Sequence, residues 1–158
     1  MIKNLSVDDI PIIMVIGESA FGHVYNNEET FQDRIETFPE GCLGFFQENN
    51  LIAFTTTEIW SEINKIEYNS KASVNHDKNG YMLYVSDMAV LPVYQGKNIG
   101  SELIKELINL AKKLDLGSIY LGSSKAKGFY EKNGFTFLKR VADDGHPYDL
   151  MEFRLSKL

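Results

Sequence analysis

The sequence predicts an α+β fold in a chain of 158 residues, with about six strands and about four helices. Three observations predict it. Apolar residues recur at three-and-four spacing in two early segments and two later ones, the period of helices that bury one face. Between them lie short runs rich in β-branched and aromatic residues, bounded by Gly, Asn and Pro, the pattern of strands. The two types follow one another as a helix pair and a hairpin, then strand, helix, strand, helix and two strands.

In order, Asp8 to Ala20 carry Ile12, Ile13, Val15 and Ile16, while Glu28 to Phe38 place Phe31, Ile35 and Phe38 at steps of four and three. Both read as amphipathic helices. Cys42 to Phe46 and Leu51 to Trp60 read as strands joined by the turn-like Gln47-Glu48-Asn49-Asn50. The polar stretch Ser61 to Gly80, with Asn64, Asn69, Ser70, Asn75, Asp77 and Asn79, reads as a long hairpin end facing solvent. Tyr81 to Leu91 reads as a central strand, closed by Pro92, which has no amide hydrogen to extend a ladder. After Gly100, Leu103, Leu107, Leu110 and Leu114 form a wide helical stripe, which Gly117 ends. Ser118 to Leu121 follow as a short buried strand, Lys125 to Asn133 as a helix capped by Gly134, and Phe135 to Leu138 and Leu150 to Leu155 as closing strands.

Length, composition and the lack of repeats or Gly/Ser/Pro-rich linkers point to one domain over residues 1–158, 44% apolar and 24% charged. No apolar run approaches the roughly 18 residues that cross a bilayer. The segment Met1 to Ser6 lacks the basic start and apolar core of a secretory signal, so a cytoplasmic location and no membrane partner are expected. A net charge of -6 argues against nucleic acid as a partner and suits a cationic substrate. Cys42 is the one cysteine, which excludes an internal disulfide and reads as packing. His23, His76 and His146 are scattered without metal-ligand spacing, so no metal is expected; His146, beside Pro147 and Tyr148, is placed near a substrate mouth.

The chemistry concentrates between the strand ending at Leu91 and the helix beginning near Ser101. There Gln95-Gly96-Lys97-Asn98-Ile99-Gly100 reads as a phosphate-binding turn. A helix N-terminus presents amides without internal partners and about half a positive charge, and glycine lets the chain approach an anion closely. Lys97 adds a point charge and Ser101 a hydroxyl donor. The alternative is an ordinary strand-to-helix connection. The spacing fits neither a Walker loop nor the Rossmann Gly-x-Gly-x-x-Gly, and a phosphotransferase lacks its Lys and carboxylate pattern for Mg²⁺.

Val90-Leu91-Pro92 followed by Gln95 to Gly100 resembles the signature Arg/Gln-x-x-Gly-x-Gly/Ala of the GNAT superfamily of acyl-CoA N-acyltransferases. Ala126-Lys127-Gly128-Phe129-Tyr130-Glu131-Lys132-Asn133-Gly134-Phe135 resembles the family's second motif, Ala-x-x-Phe-Tyr-x-x-x-Gly-Phe. Asn98 stands where the family usually has glycine, and Ser123 where it usually has asparagine; asparagine is the non-glycine residue most tolerant of left-handed backbone. The resemblance covers about Tyr81 to Phe137. It implies a GNAT-like domain with a central mixed, mostly antiparallel, twisted sheet of about six to seven strands flanked by about four helices.

The resemblance also implies a reaction: transfer of an acetyl group from acetyl-CoA to a primary amine by direct attack in a ternary complex. Acetyl-CoA is then a cosubstrate and no metal takes part. Its pyrophosphate falls to Gln95, Gly96, Lys97, Asn98, Ile99, Gly100 and Ser101, and its remaining contacts to Ser123, Ala126 and Phe129. Backbone of Met88, Ala89 and Val90 pairs with the pantetheine arm, and a bulged strand frees the Met88 or Ala89 amide to polarise the thioester carbonyl. Tyr130 becomes the general acid, since a phenol with pKa near 10 keeps its proton at neutral pH. Asp87, next to the expected bulge, takes a proton from the amine directly or through water. The acceptor is a small-molecule or peptide amine, and the Ser61 to Gly80 segment is expected to shape its site. A CoA-binding sensor without turnover is the alternative, and a homodimer is compatible with the sequence.

Overall fold

The computed structural model describes residues 1–142 and 145–155. Seven strands form one sheet: β1 (Ile2–Asn4), β2 (Leu43–Gln47), β3 (Asn50–Trp60), β4 (Met82–Val90), β5 (Ser118–Ser123), β6 (Thr136–Val141) and β7 (Tyr148–Arg154). Their spatial order is β1-β2-β3-β4-β5-β7-β6. The β4–β5 pair is parallel and the other neighbours are antiparallel. Helices α1 (Ile10–Phe21), α2 (Glu28–Thr37), α3 (Ala72–Asn75), α4 (Ile99–Lys113) and α5 (Lys127–Lys132), with short 3-10 turns at Val7–Asp9, Pro39–Gly41 and Pro92–Tyr94, complete the described elements. This is the mixed, mostly antiparallel α+β arrangement expected from the sequence.

Each face of the sheet has its own helices. Ile13 and Ile16 of α1 and Phe31 and Ile35 of α2 bury Phe46, Phe54 and Ala89 on one face. Ile104, Leu107 and Ala111 of α4 cover Leu83, Val85, Ile119, Leu121 and Met151 on the other. Of the leucine stripe, Leu103 and Leu107 are buried, while Leu110 and Leu114 are partly buried, Leu114 as the residue that follows α4. Among the described residues no helix is long and apolar enough to cross a membrane.

Four local details differ from expectation. Strand β1 is an addition at the sheet edge; three residues, two of them polar, leave no alternation to read. The hairpin turn is tighter than the tetrapeptide read from sequence. Gln47 pairs with Asn50, and Glu48 and Asn49 between them have φ of 51° and 67°, the left-handed pair of a two-residue turn whose twist matches the strands. Strand β6 starts at Thr136 and runs to Val141, past Leu138. The Ser61 to Gly80 segment is not simply a solvent-facing hairpin end. It forms α3, buries Ser70 and Ala72, and is tied back to α2, because its backbone and polar side chains find partners there instead of water.

Strand β4 contains the irregularity that positions the site. Val85 pairs with Thr57 and Asp87 with Thr56, so Ser86 is an extra residue, a bulge whose hydroxyl lies 2.7 Å from Thr56 Oγ1. One inserted residue reverses which side chains face which side of a sheet. Before the bulge Tyr84 pairs with Glu58; after it Asp87 and Ala89 pair with Thr56 and Phe54, on the same face as Glu58. The bulge thus turns Asp87 toward α1 and α2.

Candidate active site

Strands β4 and β5 stay paired only from Met82↔Ser118 to Val85↔Leu121, although β4 continues to Val90 and β5 to Ser123. Past Val85 the two strands part. A cavity of about 1430 Å³ occupies this gap and extends to the loop before α4, to α5 and to the far end of α1.

The free edge of β4 follows from its ladder. Leu91 N–H donates to Ile52 O at 3.0 Å, which fixes the alternation. Ala89, two residues back and opposite Phe54, turns its amide the same way, into β3. Met88 and Val90 turn theirs into the gap. The Val90 carbonyl bears this out by accepting from Gln95 Nε2 at 3.0 Å, a bond that also folds the Gln95 side chain back on the strand.

The loop has the conformation its chemistry needs. Gly96 and Asn98 have φ of 77° and 66°, both left-handed, so asparagine does hold the tight position here. Asn98 is the residue before α4, and the first intrahelical bond is Glu102 N to Asn98 O at 3.0 Å. The amides of Ile99, Gly100 and Ser101 precede that bond, the anion-receptive end of a helix. Gln95, Gly96, Asn98, Ile99, Gly100 and Ser101 line the cavity. Lys97 stands apart, with Nζ 5.8 Å from the centroid of the Tyr94 ring. At Gly100 a Cβ would sit 2.8 Å from Phe129 Cζ, so glycine is what lets the second motif close on the first.

Ser123, Ala126, Phe129 and Tyr130 line the opposite wall. Ser123 Oγ accepts from Ala126 N–H at 2.9 Å, which starts the turn into α5 and leaves the hydroxyl proton to donate elsewhere. Tyr130 is buried between Phe129 and Phe135, with ring centroids 5.1 and 5.5 Å away. Burial first, and the Asp87 carboxylate second, raises its pKa above the ordinary phenol value, so it holds its proton.

Asp87 is 8% exposed and sits in a network that the sequence did not announce. Arg34 Nη1 donates to Asp87 Oδ2 at 2.9 Å, and Asn26 Nδ2 donates to the same oxygen. Arg34 also donates through Nε and Nη2 to Ser70 O at 3.3 and 3.1 Å. Asn26 Oδ1 accepts from Asn69 N–H at 2.6 Å. Burial raises the Asp87 pKa, while Arg34 and Asn26 oppose the rise. Arg34 lies on the buried stripe of α2 with Phe31 and Ile35, and a charge at a stripe position is the signal that would have found it.

Beside this network Glu58 is fully buried, and neither its carboxyl oxygens nor Trp60 Nε1 has a hydrogen-bond partner among the described residues. Burial raises the Glu58 pKa; the nearby indole and Arg34 lower it less. Cys42 is buried with its thiol pushed up to about 12 and donates weakly to Arg34 O at 3.6 Å, which suits packing. His76 Nδ1 accepts from Ile59 N–H at 3.0 Å, a structural role, whereas His23 and His146 line the cavity.

Known proteins resemble this arrangement. The tRNA(Met) cytidine acetyltransferase TmcA of Saccharolobus islandicus (strain Y.G.57.14 / Yellowstone #1) is 46% identical over 50 residues, 31% of this chain and 7% of that protein. This chain thus matches only a small part of that relative's length. Ard1 from Thermoplasma volcanium superposes with a TM-score of 0.80 at 16% identity over 99% of this chain and 98% of that one. The PaiA N-acetyltransferase of Thermoplasma acidophilum, solved in complex with coenzyme A, gives 0.74 at 18% identity over 98% of each chain. At these identities the two structures speak for the fold. The family is fixed by residues 13–135, which match the Acetyltransferase (GNAT) family as a continuous stretch around the split strands, the loop and α5, and the chain belongs to that family.

Proposed function

We propose that the chain works as one acetyltransferase domain that moves an acetyl group from acetyl-CoA to a primary amine in a ternary complex. The observation that carries this reading is the continuity of one cavity: it joins the anion-receptive loop, the free edge of β4, Asp87 and Tyr130. The fit to CoA rests on the left-handed Gly96 and Asn98, the amides of α4 that precede its first intrahelical bond and the close packing of Gly100 on Phe129. Backbone of Met88 and Val90 would hold an extended arm as a further strand would, and Gln95 to Ser101 would hold a pyrophosphate. Lys97 contributes charge near the loop mouth, and Ala89 serves by keeping β4 on β3.

Three groups of this chain then share the chemistry. The Met88 amide donates to the thioester oxygen, where negative charge grows in the transition state. An alkylamine with pKa near 10.4 is protonated at neutral pH, and exposing its lone pair costs roughly 4 kcal/mol. Asp87 accepts that proton through Oδ1, directly or through water. Tyr130 donates its phenolic proton to the departing sulfur. The N–C bond forms as the C–S bond breaks. Of the two protons the ammonium sheds, one replaces the proton Tyr130 gives up and the other leaves to solvent.

Purified protein with acetyl-CoA and an amine panel should release thiol in step with acetylated amine, the latter read by mass spectrometry. CoA binding by calorimetry without product across the panel would turn the reading to a sensor. No CoA binding would defeat both.

A further inference from the structure

We propose that the acceptor is a primary amine carried on an aromatic ring, an arylalkylamine, seated against a wall of rings formed by Tyr25, Tyr68 and His146. This rests on the transfer reading above and specifies what sits opposite the acyl donor. The wall is continuous. Tyr25 lies 4.7 Å from His23, nearly parallel at 28°, and 4.4 Å from Tyr68, edge to face. Tyr68 lies 4.6 Å from His146, and Tyr68 Oη is 3.2 Å from His146 Nδ1. All four line the cavity.

These rings come from three separate segments: the α1–α2 connection, the stretch between β3 and β4, and the β6–β7 connection. None belongs to the buried core. Tyr25 and Tyr68 are half-buried and His23 and His146 exposed, so the ring surface not used in packing on one another faces the cavity. Aromatic faces held open at a cavity mouth bind a ring by stacking and an ammonium by its charge.

Placement relative to Asp87 is fixed by the polar network. Tyr25 is followed by Asn26, which donates to Asp87, and Tyr68 by Asn69, whose amide donates to Asn26 at 2.6 Å. Two adjacent pairs are thus zipped together, ring to ring and amide to amide. Asn69 has φ of 55°, and its side-chain carbonyl accepts from Asn27 N–H at 2.8 Å, which holds that turn. An amine one or two carbons from a ring on this wall is carried toward the Asp87 carboxyl.

The test compares phenethylamine, hexylamine, spermidine and kanamycin as acceptors for the full chain, with CoA binding measured separately. We expect phenethylamine to exceed each of the others at least about tenfold in kcat/KM, about the worth of one aromatic pair. Tyr68→Leu should raise its KM about tenfold and leave the acetyl-CoA KM within about twofold, whereas Tyr68→Phe should keep the preference. Where no thiol appears, calorimetric binding of phenethylamine to the CoA-loaded protein, lost in Tyr68→Leu, gives the same decision. Spermidine or kanamycin as the best acceptor, or an unchanged phenethylamine KM or affinity in Tyr68→Leu, overturns the acceptor assignment and leaves acetyl transfer standing. Absence of CoA binding would instead strike the transfer reading.

Discussion

The two halves of the cavity are built from different materials. On the side of the loop and α4 the working groups are backbone amides, supplied by a few consecutive residues from Gln95 to Ser101 and made accessible by Gly96, Asn98 and Gly100. On the side of α1 and α2 they are the side chains of Asn26, Arg34 and Asp87, brought from distant parts of the chain and braced on the Asn69 amide and the Ser70 carbonyl. A site made of backbone depends on φ/ψ and tolerates side-chain change. A site made of buried side chains depends on every partner, since each leaves another unpaired when removed. The first half is therefore suited to a ligand shared across a family, the second to one peculiar to this chain.

Removal of Arg34 should produce the largest effect. Its guanidinium bridges Asp87 and the Ser70 carbonyl in an environment where it is 1% exposed. Taking away one partner of a buried pair leaves an uncompensated charge, so Arg34→Ala should lose about 3–5 kcal/mol in urea unfolding. Arg34→Lys should recover only part, because an ammonium lacks the planar fork that reaches both partners. A loss below about 1 kcal/mol would show that the side-chain half does not hang together as described.

Tyr130→Phe comes next and probes the point where the halves meet. The ring packing against Phe129 and Phe135 is kept, so the fold and CoA affinity should change little. Turnover should fall about 10²-fold or more, the usual worth of a positioned general acid. Unchanged kcat with acetyl-CoA and any accepted amine would remove Tyr130 from the acid role.

Gly100→Ala isolates the backbone half. An added Cβ would meet Phe129 Cζ at 2.8 Å and push the ring, which itself lines the cavity. CoA should bind about tenfold more weakly by calorimetry, while the gain in helix propensity, about 0.8 kcal/mol, offsets the strain in overall stability. A comparable rise in the amine KM would mean the two halves are not separable.

The same difference in material explains what was legible in the sequence. The loop and the Phe129-Tyr130 motif are contiguous, so their residue types and spacing carry the information, and the strand and helix order follows from local periodicity. The Arg34 network is assembled by tertiary packing. Asn26 and Asn69 look like loop residues until the chain brings Asn69 N–H within 2.6 Å of Asn26 Oδ1. Arg34 carried a trace, a charge on the stripe of Phe31 and Ile35, but its partners are 36 and 53 positions away. The bulge at Ser86, which aims Asp87, has no glycine or other marker in the strand and was legible only through the family resemblance.

Glu58 sharpens the contrast with the smallest effect. It sits on the same face as Asp87, two positions along β3 from its pairing partner Thr56, fully buried and without a hydrogen bond among the described residues. Burial raises its pKa, so the folded protein binds its proton more tightly than the unfolded chain does. Stability tied to this group is then full below the unfolded carboxyl value, near pH 4, and is lost as pH rises through the higher folded value. Glu58→Gln removes the ionisable group at similar volume. Its unfolding free energy should exceed that of the parent by roughly 1 kcal/mol at about pH 8, and the gap should close toward about pH 4. A gap of the opposite sign at high pH would mean that Arg34 stabilises the Glu58 carboxylate more than burial penalises it, tying Glu58 into the Arg34–Asp87 pair.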